Sequence, residues 1–432
     1  MPSPKSAALF ERAQKVLPGG VSRNTLLRGD HPLYVSHAKG CVITDVDGVE
    51  RLDFANNMAS HIHGHAFEPI VSAVSTQLAK GSAFTMATEA EILFAEHMVG
   101  RSPNFDKIRF MNSGTEAVMA GMKAARAFTG RTKIAKVEGS YHGAYDYAEV
   151  SQAPTPENWG GADHPNAVPL AQGTPGGVLE DMVIIPFNEP EKAIAILNEQ
   201  ADDIACVLID PIPHRIGMVP VCAEFVTALS RWTRANGALL MCDEVITFRS
   251  EVGGMQSRFD ISPDLTSLGK MIGGGFPVGA LAGREAIMAV FTDGRLPHSG
   301  TFSANPITMT AGRVAMELFD ADAVKRLNTL GDYTAARLRE VISIADVPAS
   351  VTGSGSLYRI HLKAEAPKNY RDTHPSQAEK KAVNAFINSL YDNGIMMIHT
   401  GALTLSTPMT ESHIDQLADA VLISLKSIRG LL

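Results

Sequence analysis

Short, almost continuous runs of apolar residues alternate with amphipathic stretches across the middle of the chain. Runs that end in turn-forming or acidic residues are typical of strands buried on both faces of a parallel sheet. The alternation between about residues 107 and 283 therefore predicts an α/β fold with a mostly parallel sheet. The predicted strands cover residues 108–111, 133–137, 182–186, 204–209, 238–242, 265–268 and 278–282.

The two ends of the chain show other patterns. Residues 42–54 alternate between apolar and polar and are broken at Asp47-Gly48, which predicts a β-hairpin. From about Ile307 helical periodicity dominates, and residues 357–362 then alternate as a strand of a smaller C-terminal domain. Residues 151–177 are rich in Pro, Gly and Asn, which predicts a long loop of the kind that forms lids or is disordered.

Composition narrows the class of protein. The 432 residues suffice for one large and one small domain, and 45% hydrophobic with 19% charged residues is typical of a globular protein. A net charge of −8 without a basic run argues against a nucleic-acid partner. Four scattered cysteines, no apolar leader segment and no run of membrane-spanning length indicate reduced thiols and a cytoplasmic location.

Lys270 is the first candidate for chemistry. It follows an apolar segment and precedes the glycines 273–275, a setting that can remove an ammonium group from water. Desolvation lowers the pKa of a lysine, so the neutral amine becomes available for a Schiff base with an aldehyde cofactor. Taken alone, a surface lysine beside a flexible turn is the commoner interpretation of this pattern.

Further motifs lie at predicted strand ends and in glycine-flanked loops. Asp243 ends the run 238–242, where it could hold a pyridine nitrogen or cap the next helix. Residues 113–115, Ser-Gly-Thr, precede a helical stretch and could bind phosphate or simply cap that helix. Tyr141 could stack on a flat cofactor. Singly, each motif also fits an ordinary structural role.

In sequence order the motifs are Ser-Gly-Thr-Glu-Ala at 113–117, Tyr-His-Gly at 141–143, Asp-Glu-Val at 243–245, Lys-x-x-Gly-Gly-Gly-x-Pro-x-Gly at 270–279 and Gly-Thr-Phe-x-x-Asn-Pro at 300–306. Together they resemble the class III, fold-type I pyridoxal-phosphate aminotransferases, closest to the glutamate-1-semialdehyde 2,1-aminomutase and β-amino-acid aminotransferase branch. The resemblance implies a large domain at 56–306 with a mostly parallel seven-stranded sheet. It also implies a smaller α+β domain from residues 1–55 and 307–432, and a mobile loop that gates the site.

The resemblance also implies residue roles around pyridoxal 5′-phosphate. Lys270 would form the Schiff base and move the substrate proton, and Asp243 would pair with the pyridine nitrogen. The remaining implied cofactor contacts are Ser113, Gly114 and Thr115 at the phosphate, Tyr141 and Val245 on the two ring faces, His142 beside Tyr141, and Asn188 near Tyr141. Thr301 matches the family position that reaches the neighbouring subunit's phosphate, which implies a homodimer with shared active sites.

The substrate is less defined by the sequence. Arg is suited to bind a carboxylate, and Arg23 in Ser22-Arg23 resembles the β-amino-acid enzymes, although a surface salt bridge is the alternative. Arg215 follows a predicted strand end, and with Asp210 and His214 it departs from the family pattern. Residues 398–403 lack the glutamate that the aminomutases usually carry there.

These observations favour an aminotransferase that moves an amino group from a β- or non-standard amino acid to a keto acid. An aminomutase is the first alternative, and a racemase, a decarboxylase or a silent pyridoxal-phosphate-binding relative stay open. A nicotinamide dehydrogenase would need Gly-x-Gly-x-x-Gly where Ser-Gly-Thr stands at 113–115. No metal is expected, because the histidines at 61, 63 and 65 lack carboxylate or Cys partners at ligand spacing.

Overall fold

Strands form four sheets in the computed structural model, which describes residues 4–28, 31–259 and 261–432. Two short strands pair near the N-terminus, seven form a central sheet, and two smaller sheets contain four and three strands. In chain order the strands are β1 (Leu27–Arg28), β2 (His31–Pro32), β3 (Val35–Lys39), β4 (Val42–Asp45), β5 (Glu50–Asp53), β6 (Lys107–Met111), β7 (Lys133–Val137), β8 (Met182–Ile185), β9 (Ile204–Ile209), β10 (Leu239–Asp243), β11 (Leu265–Gly269), β12 (Gly279–Gly283), β13 (Ser350–Ser354), β14 (Leu357–His361), β15 (Ile395–Met396) and β16 (Ala402–Thr404).

Helices cover the faces of the central sheet and dominate the C-terminal third of the chain. They are α1 (Pro4–Gln14), α2 (Asn56–Ala59), α3 (Glu68–Leu78), α4 (Glu89–Val99), α5 (Gly114–Thr129), α6 (Asp146–Glu149), α7 (Gly176–Glu180), α8 (Pro190–Asn198), α9 (Ala223–Asn236), α10 (Glu285–Met288), α11 (Pro306–Leu318), α12 (Ala321–Ala345), α13 (Tyr370–Thr373), α14 (Gln377–Asp392) and α15 (Glu411–Ser427).

The central sheet confirms the predicted α/β fold with seven mostly parallel strands. Its order is β6-β12-β11-β10-β9-β7-β8, and β12 alone runs antiparallel to its neighbours β6 and β11. Every residue of β9 and β10 is buried, as expected for apolar strands covered on both faces. Each predicted strand overlaps an observed one, with ends that differ by at most one residue.

The sheet register brings distant polar residues to one edge. Asp243 pairs with Ser267 across β10 and β11, and Lys270 follows directly after β11. Gly279 at the start of β12 pairs with both Gly269 and Met111, so the chain just after β6 lies close to the end of β11. Ligands of open α/β sheets bind at this carboxyl edge. The residues that follow β6, β10 and β11 therefore face a common space.

The smaller sheets join distant parts of the chain. The hairpin predicted within residues 42–54 is confirmed by β4 and β5, and β15 pairs parallel to β5 through Ile395 and Leu52. The predicted strand near residue 357 is confirmed by β14, which lies between β13 and β16. We propose from the β5–β15 pairing that residues 1–55 and 307–432 form one small domain beside residues 56–306.

The long loop at residues 151–177 is held in place by an arginine. The Arg371 guanidinium donates to the backbone oxygens of Trp159, Gly160 and Gly161 and forms an ion pair with Glu138 at 2.9 Å. The loop contains an isolated bridge and ends in α7, and otherwise has no regular structure. Among the helices of the described residues, none has the length and apolarity that crossing a membrane requires.

Candidate active site

A cavity of about 340 Å³ lies at the carboxyl edge of the central sheet. Its lining brings together eight of the residues that the sequence predicts for the site, although up to 157 positions separate them: Ser113, Gly114, Thr115, Tyr141, His142, Asp243, Val245 and Lys270. Asp210, Asn57 and Ser60 also line it. Four of the five sequence motifs thus contribute residues to this cavity, and the fifth, around Thr301, lies elsewhere.

Lys270 stands in a strained backbone conformation at the end of β11. Its φ is +49°, in the left-handed region that non-glycine residues rarely adopt and that surrounding structure must enforce. Removal from bulk water lowers the pKa of the Lys270 amine, whereas the charges of Asp243 and Asp210 act in the opposite direction. A lysine with a lowered pKa has more of the neutral amine that a carbonyl group requires.

Asp243 is oriented by two hydrogen bonds. Its Oδ2 lies 2.7 Å from His142 Nδ1, and its Oδ1 accepts from the backbone N–H of Val245 at 3.1 Å. Burial lowers the pKa of His142, and the contact with Asp243 partly offsets this effect. A neutral imidazole that donates from Nδ1 fits this geometry. His142 Nε2 is buried without a hydrogen-bond partner among the described residues.

Asp210 is a second carboxylate at the cavity. Its Oδ1 accepts from the backbone N–H of Ile212 at 2.9 Å. Burial and then the charge of Asp243 raise the pKa of Asp210 well above its usual range, while Lys270 acts in the opposite direction. Asp210 therefore holds a proton more readily than an ordinary aspartate does. The sequence carried the same signal for Asp210 as for Asp243, namely an acid that follows a buried strand, but only Asp243 was assigned a role.

The N-terminus of α5 has the features of a phosphate site. Ser113 is its N-cap and accepts from the Glu116 N–H at 3.1 Å, while the Glu116 carboxylate accepts from the Asn112 N–H at 2.6 Å. The backbone N–H groups and the dipole at the start of this 16-residue helix favour an anion. A Cβ at Gly143 would lie 2.6 Å from Thr115 Oγ1, so only glycine lets the 141–143 loop approach this closely.

These residues fit pyridoxal 5′-phosphate. A helix N-terminus is available for the phosphate, a lysine amine for the aldehyde, and a carboxylate for the ring nitrogen. Tyr141 is 44% exposed, and with Val245, which also lines the cavity, it offers flat or apolar surface to a ring.

A second cavity, of about 320 Å³, adjoins the first and has mostly apolar walls. Asn57 lines both cavities, and its Oδ1 accepts from Arg23 Nη1 at 3.1 Å, so Arg23 lies at their junction. The turn α2 that carries Asn57 is left-handed, with φ between +44° and +68° at Asn56–Ala59. No pattern in the sequence predicted this turn or the contact of Asn57 with Arg23.

Three predicted site residues line neither of these two cavities. Arg215 Nε donates to the backbone oxygen of Gln152 at 3.1 Å, although its charge acts on Tyr141. Asn188 binds the backbone of Pro220 and Cys222, so its amide supports a neighbouring loop and offers no group to the cavity. Thr301 is exposed and lines a separate cleft.

The histidines at 61, 63 and 65 have structural partners, and the His61 ring lies 4.6 Å from the His65 ring between centroids. His63 contacts Thr407 Oγ1 at 3.0 Å and the Ala315 backbone oxygen at 2.8 Å, and His65 lies 2.7 Å from the Asp53 carboxylate. Within the described ranges, no group of three or more His, Cys, Asp or Glu side chains is placed to hold a metal ion.

Comparison with known proteins agrees with this geometry. Residues 26–427 match the family described as aminotransferase class III. The chain is 39% identical over 374 residues to the glutamate-1-semialdehyde 2,1-aminomutase of Methanothermobacter thermautotrophicus, covering 86% of this chain and 87% of that protein.

Solved structures are similar over almost the whole chain. An omega-transaminase from Sphaerobacter thermophilus is 45% identical with a TM-score of 0.96, and the match covers 99% of each chain. A β-phenylalanine aminotransferase from Variovorax paradoxus is 31% identical with a TM-score of 0.88, covering 98% of this chain and 93% of that one.

Proposed function

Since this chain belongs to the class III aminotransferase family, whose members depend on pyridoxal 5′-phosphate, we propose that it transfers the amino group of a β- or otherwise non-standard amino acid to a keto acid. The observation that supports this best is the convergence of Lys270, Asp243 and the N-terminus of α5 on one cavity. The resemblance seen in the sequence and the family match agree on the class of enzyme.

We assign the cofactor contacts from the lining of this cavity. Ser113, Gly114 and Thr115 would hold the phosphate, and Asp243 would hold the ring nitrogen, with His142 fixing the direction of the carboxylate. Bound through the Lys270 amine, pyridoxal phosphate supplies an electron sink for a carbanion at the substrate Cα.

Proton transfer is assigned to Lys270. A base must lie within reach of the proton it takes, and its pKa should lie near the working pH. Because burial lowers the pKa of Lys270, its neutral amine is available to accept the Cα proton, and the ammonium so formed gives the proton up readily at another atom. The strained backbone at Lys270 fixes the start of the side chain, which limits the positions that its amine can reach.

Donor selection is assigned to Arg23 and the apolar cavity beside it. Arg23 can bind a carboxylate in a bidentate manner, while the apolar walls of the 320 Å³ cavity suit a hydrophobic side chain. The similarity to a β-phenylalanine aminotransferase supports a donor of this kind. Arg215 is assigned a substrate role as well, because its charge acts on Tyr141 at the cofactor cavity.

A glutamate-1-semialdehyde aminomutase is the second candidate, because a relative with 39% identity carries that name. Residues 396–399 line the apolar cavity through Met396, Met397, Ile398 and His399, and no acidic side chain occurs between residues 393 and 410. An intermediate with two amino groups would therefore meet little negative charge on this wall. This composition favours the aminotransferase.

We also infer a homodimer and a cytoplasmic location. Thr301 lies in a cleft with Phe84 and Met86, and exposed apolar side chains surround it, with Phe302 60% and Met86 81% exposed. Exposed apolar surface of this kind is typical of an interface, and a second copy would explain why Thr301 lies outside the lining of the Lys270 cavity. The cysteines are free, which fits a reducing compartment.

The test is a titration of the cofactor-loaded protein with α-, β- and γ-amino acids and with simple amines, followed by visible absorbance. We expect β-amino acids to bleach the band of the lysine-bound cofactor, and Lys270→Ala to lose both the band and turnover. Arg23→Ala should raise KM for carboxylated donors about 10- to 100-fold and spare simple amines. Conversion of glutamate-1-semialdehyde without a keto acid, and no bleaching by any donor, would instead establish the aminomutase.

A further inference from the structure

Two arginines near the cofactor cavity lack an acidic partner. Arg359 on β14 donates from Nε to the Thr400 backbone oxygen at 3.0 Å and from Nη1 to the His214 backbone oxygen at 3.5 Å. Arg215, between β9 and α9, donates from Nε to the Gln152 backbone oxygen at 3.1 Å. Backbone carbonyls thus orient both guanidinium groups without neutralising them, and neither forms an ion pair with any side chain that the structure describes.

The two guanidinium groups lie close to each other. Burial and then the charge of Arg215 lower the pKa of Arg359 to about 10, which shows that the two groups are close enough to repel each other. The neighbouring His214 is neutral at neutral pH, because burial and the charges of Arg359 and Lys270 lower its pKa to about 3. Its Nε2 lies 3.4 Å from Thr400 Oγ1. Unpaired cations in a partly buried setting favour binding of an anion.

The pair also retains free hydrogen-bond donors. The buried Arg249 differs, because it donates to Ser356 Oγ and to the backbone oxygens of Ala59 and Leu405, and so joins parts of the fold. Both Nη atoms of Arg215 and Nη2 of Arg359 have no partner among the described residues, and none of them is sealed from solvent. Such donors match the two oxygens of a carboxylate.

The position of the pair links it to both cavities. Arg359 Nε donates to the backbone oxygen of Thr400, which directly follows His399 in the wall of the apolar cavity. Arg215 lies in the segment that leads on from Asp210, a residue of the cofactor cavity, and its charge acts on Tyr141 in the same lining. Arg23, the residue assigned to the donor carboxylate, lies at the junction of those cavities and has its own partner, Asn57. Arg23 and the Arg359–Arg215 pair thus offer guanidinium groups at two separate positions.

We propose that Arg359 and Arg215 bind the carboxylate of the 2-oxo acid that accepts the amino group, whereas Arg23 binds that of the donor. The inference rests on the proposed aminotransferase function and adds Arg359 as a specificity-determining residue. The sequence alone could not identify Arg359, because 145 positions separate it from His214, to whose backbone oxygen it donates.

The experiment uses the variants Arg359→Gln and Arg215→Gln, which remove charge but keep a hydrogen-bond donor. Arg131→Gln is the matched control, because Arg131 is also part-buried and held by backbone oxygens, those of Ala201 and Ile204. Calorimetry measures binding of oxamate, which has the carboxylate but no reactive carbonyl, to enzyme carrying the amino form of the cofactor. Stopped-flow absorbance then measures the half-reaction with pyruvate and with propanal, which lacks the carboxylate.

We expect Arg359→Gln and Arg215→Gln each to weaken oxamate binding and to lower the pyruvate rate constant about 10- to 100-fold, since each removes charge-assisted hydrogen bonds. The rate constant with propanal should change by less than about twofold in these variants. In Arg131→Gln, the oxamate affinity and both rate constants should also change by less than about twofold. Equal losses with pyruvate and propanal, unchanged oxamate binding, or inorganic phosphate binding as tightly as oxamate would each overturn the assignment. If both variants keep wild-type turnover, the assignment of the acceptor site is wrong but the proposed function is not affected. If the wild type binds oxamate but shows no half-reaction, the proposed function is wrong and the arginines form only an anion site.

Discussion

Replacing Gly279 by alanine should loosen the phosphate end of the cofactor site through backbone contacts alone. Gly279 starts β12 and is paired on both sides, with Gly269 of β11 and Met111 of β6. A Cβ at this position would lie 1.9 Å from the Ser113 backbone oxygen and 2.5 Å from its carbonyl carbon. Because β12 is held between two strands, it cannot easily move away, and the displacement falls on Ser113.

The size of the effect follows from this distance. Contacts of a Cβ below 3.0 Å are essentially never seen, so the 1.9 Å gap must open by at least about 1.1 Å. Overpacking of this kind costs about 1–3 kcal/mol, and loss of the Ser113 N-cap adds about 1 kcal/mol. We therefore expect the free energy of unfolding to fall by about 2–4 kcal/mol. Moving one N–H away from the phosphate should also raise the cofactor dissociation constant at least about tenfold.

Urea unfolding followed by circular dichroism measures the first quantity, and titration of cofactor-free protein with pyridoxal phosphate measures the second. Gly177→Ala is the matched control, because no atom lies within 4 Å of a Cβ at that position and it lies within α7. Alanine there should be neutral or slightly stabilising. An unfolding free energy within about 0.5 kcal/mol of wild type, together with unchanged cofactor affinity, would refute the argument that the Gly279–Ser113 contact supports the phosphate site.

Three further predictions concern strain, pH and the ring nitrogen. Ala66 is exposed with φ at +47°, so Ala66→Gly should raise the unfolding free energy by about 0.5–1 kcal/mol in urea unfolding, whereas Ala8→Gly within α1 should lower it. Burial and the charge of Arg359 lower the pKa of His361 to about 3, whereas its pKa in the unfolded chain is about 6.5. The contribution of His361 to the free energy of unfolding is therefore complete above pH 6.5 and falls by about 1.4 kcal/mol per pH unit below it. In urea unfolding between pH 7.5 and 4.5, the fall in the free energy of unfolding with decreasing pH should be shallower in His361→Gln than in the wild type by one proton, or about 1.4 kcal/mol per pH unit. Asp243→Asn should lower kcat at least about 100-fold in steady-state assays, because an amide stabilises a protonated ring nitrogen poorly.

The sequence was informative where one local pattern determines position. Asp243 could be placed because an apolar run that ends in an acid forms a buried strand, and the carboxyl edge of the sheet is where that strand ends. The nearness of Arg359 and His214 was not predictable, since it depends on how β14 packs against the segment after β9. The role of Asn57 depends on a left-handed turn that no local pattern announces. Asn188 was assigned by resemblance, and its amide instead binds the loop at 220–222.

The position of β6 has a consequence for synthesis of the protein. This strand leads into the phosphate loop, yet in the described sheet it pairs only with β12, which lies more than 160 residues later in the chain. At about 5–20 residues per second, the ribosome delivers β12 roughly 9–34 seconds after β6. The nascent chain thus carries an unpaired strand and an open site during that interval. Cofactor capture therefore waits until β12 has been made, when about two thirds of the 432 residues are joined, and a shortage of cofactor would act on chains that have passed this point.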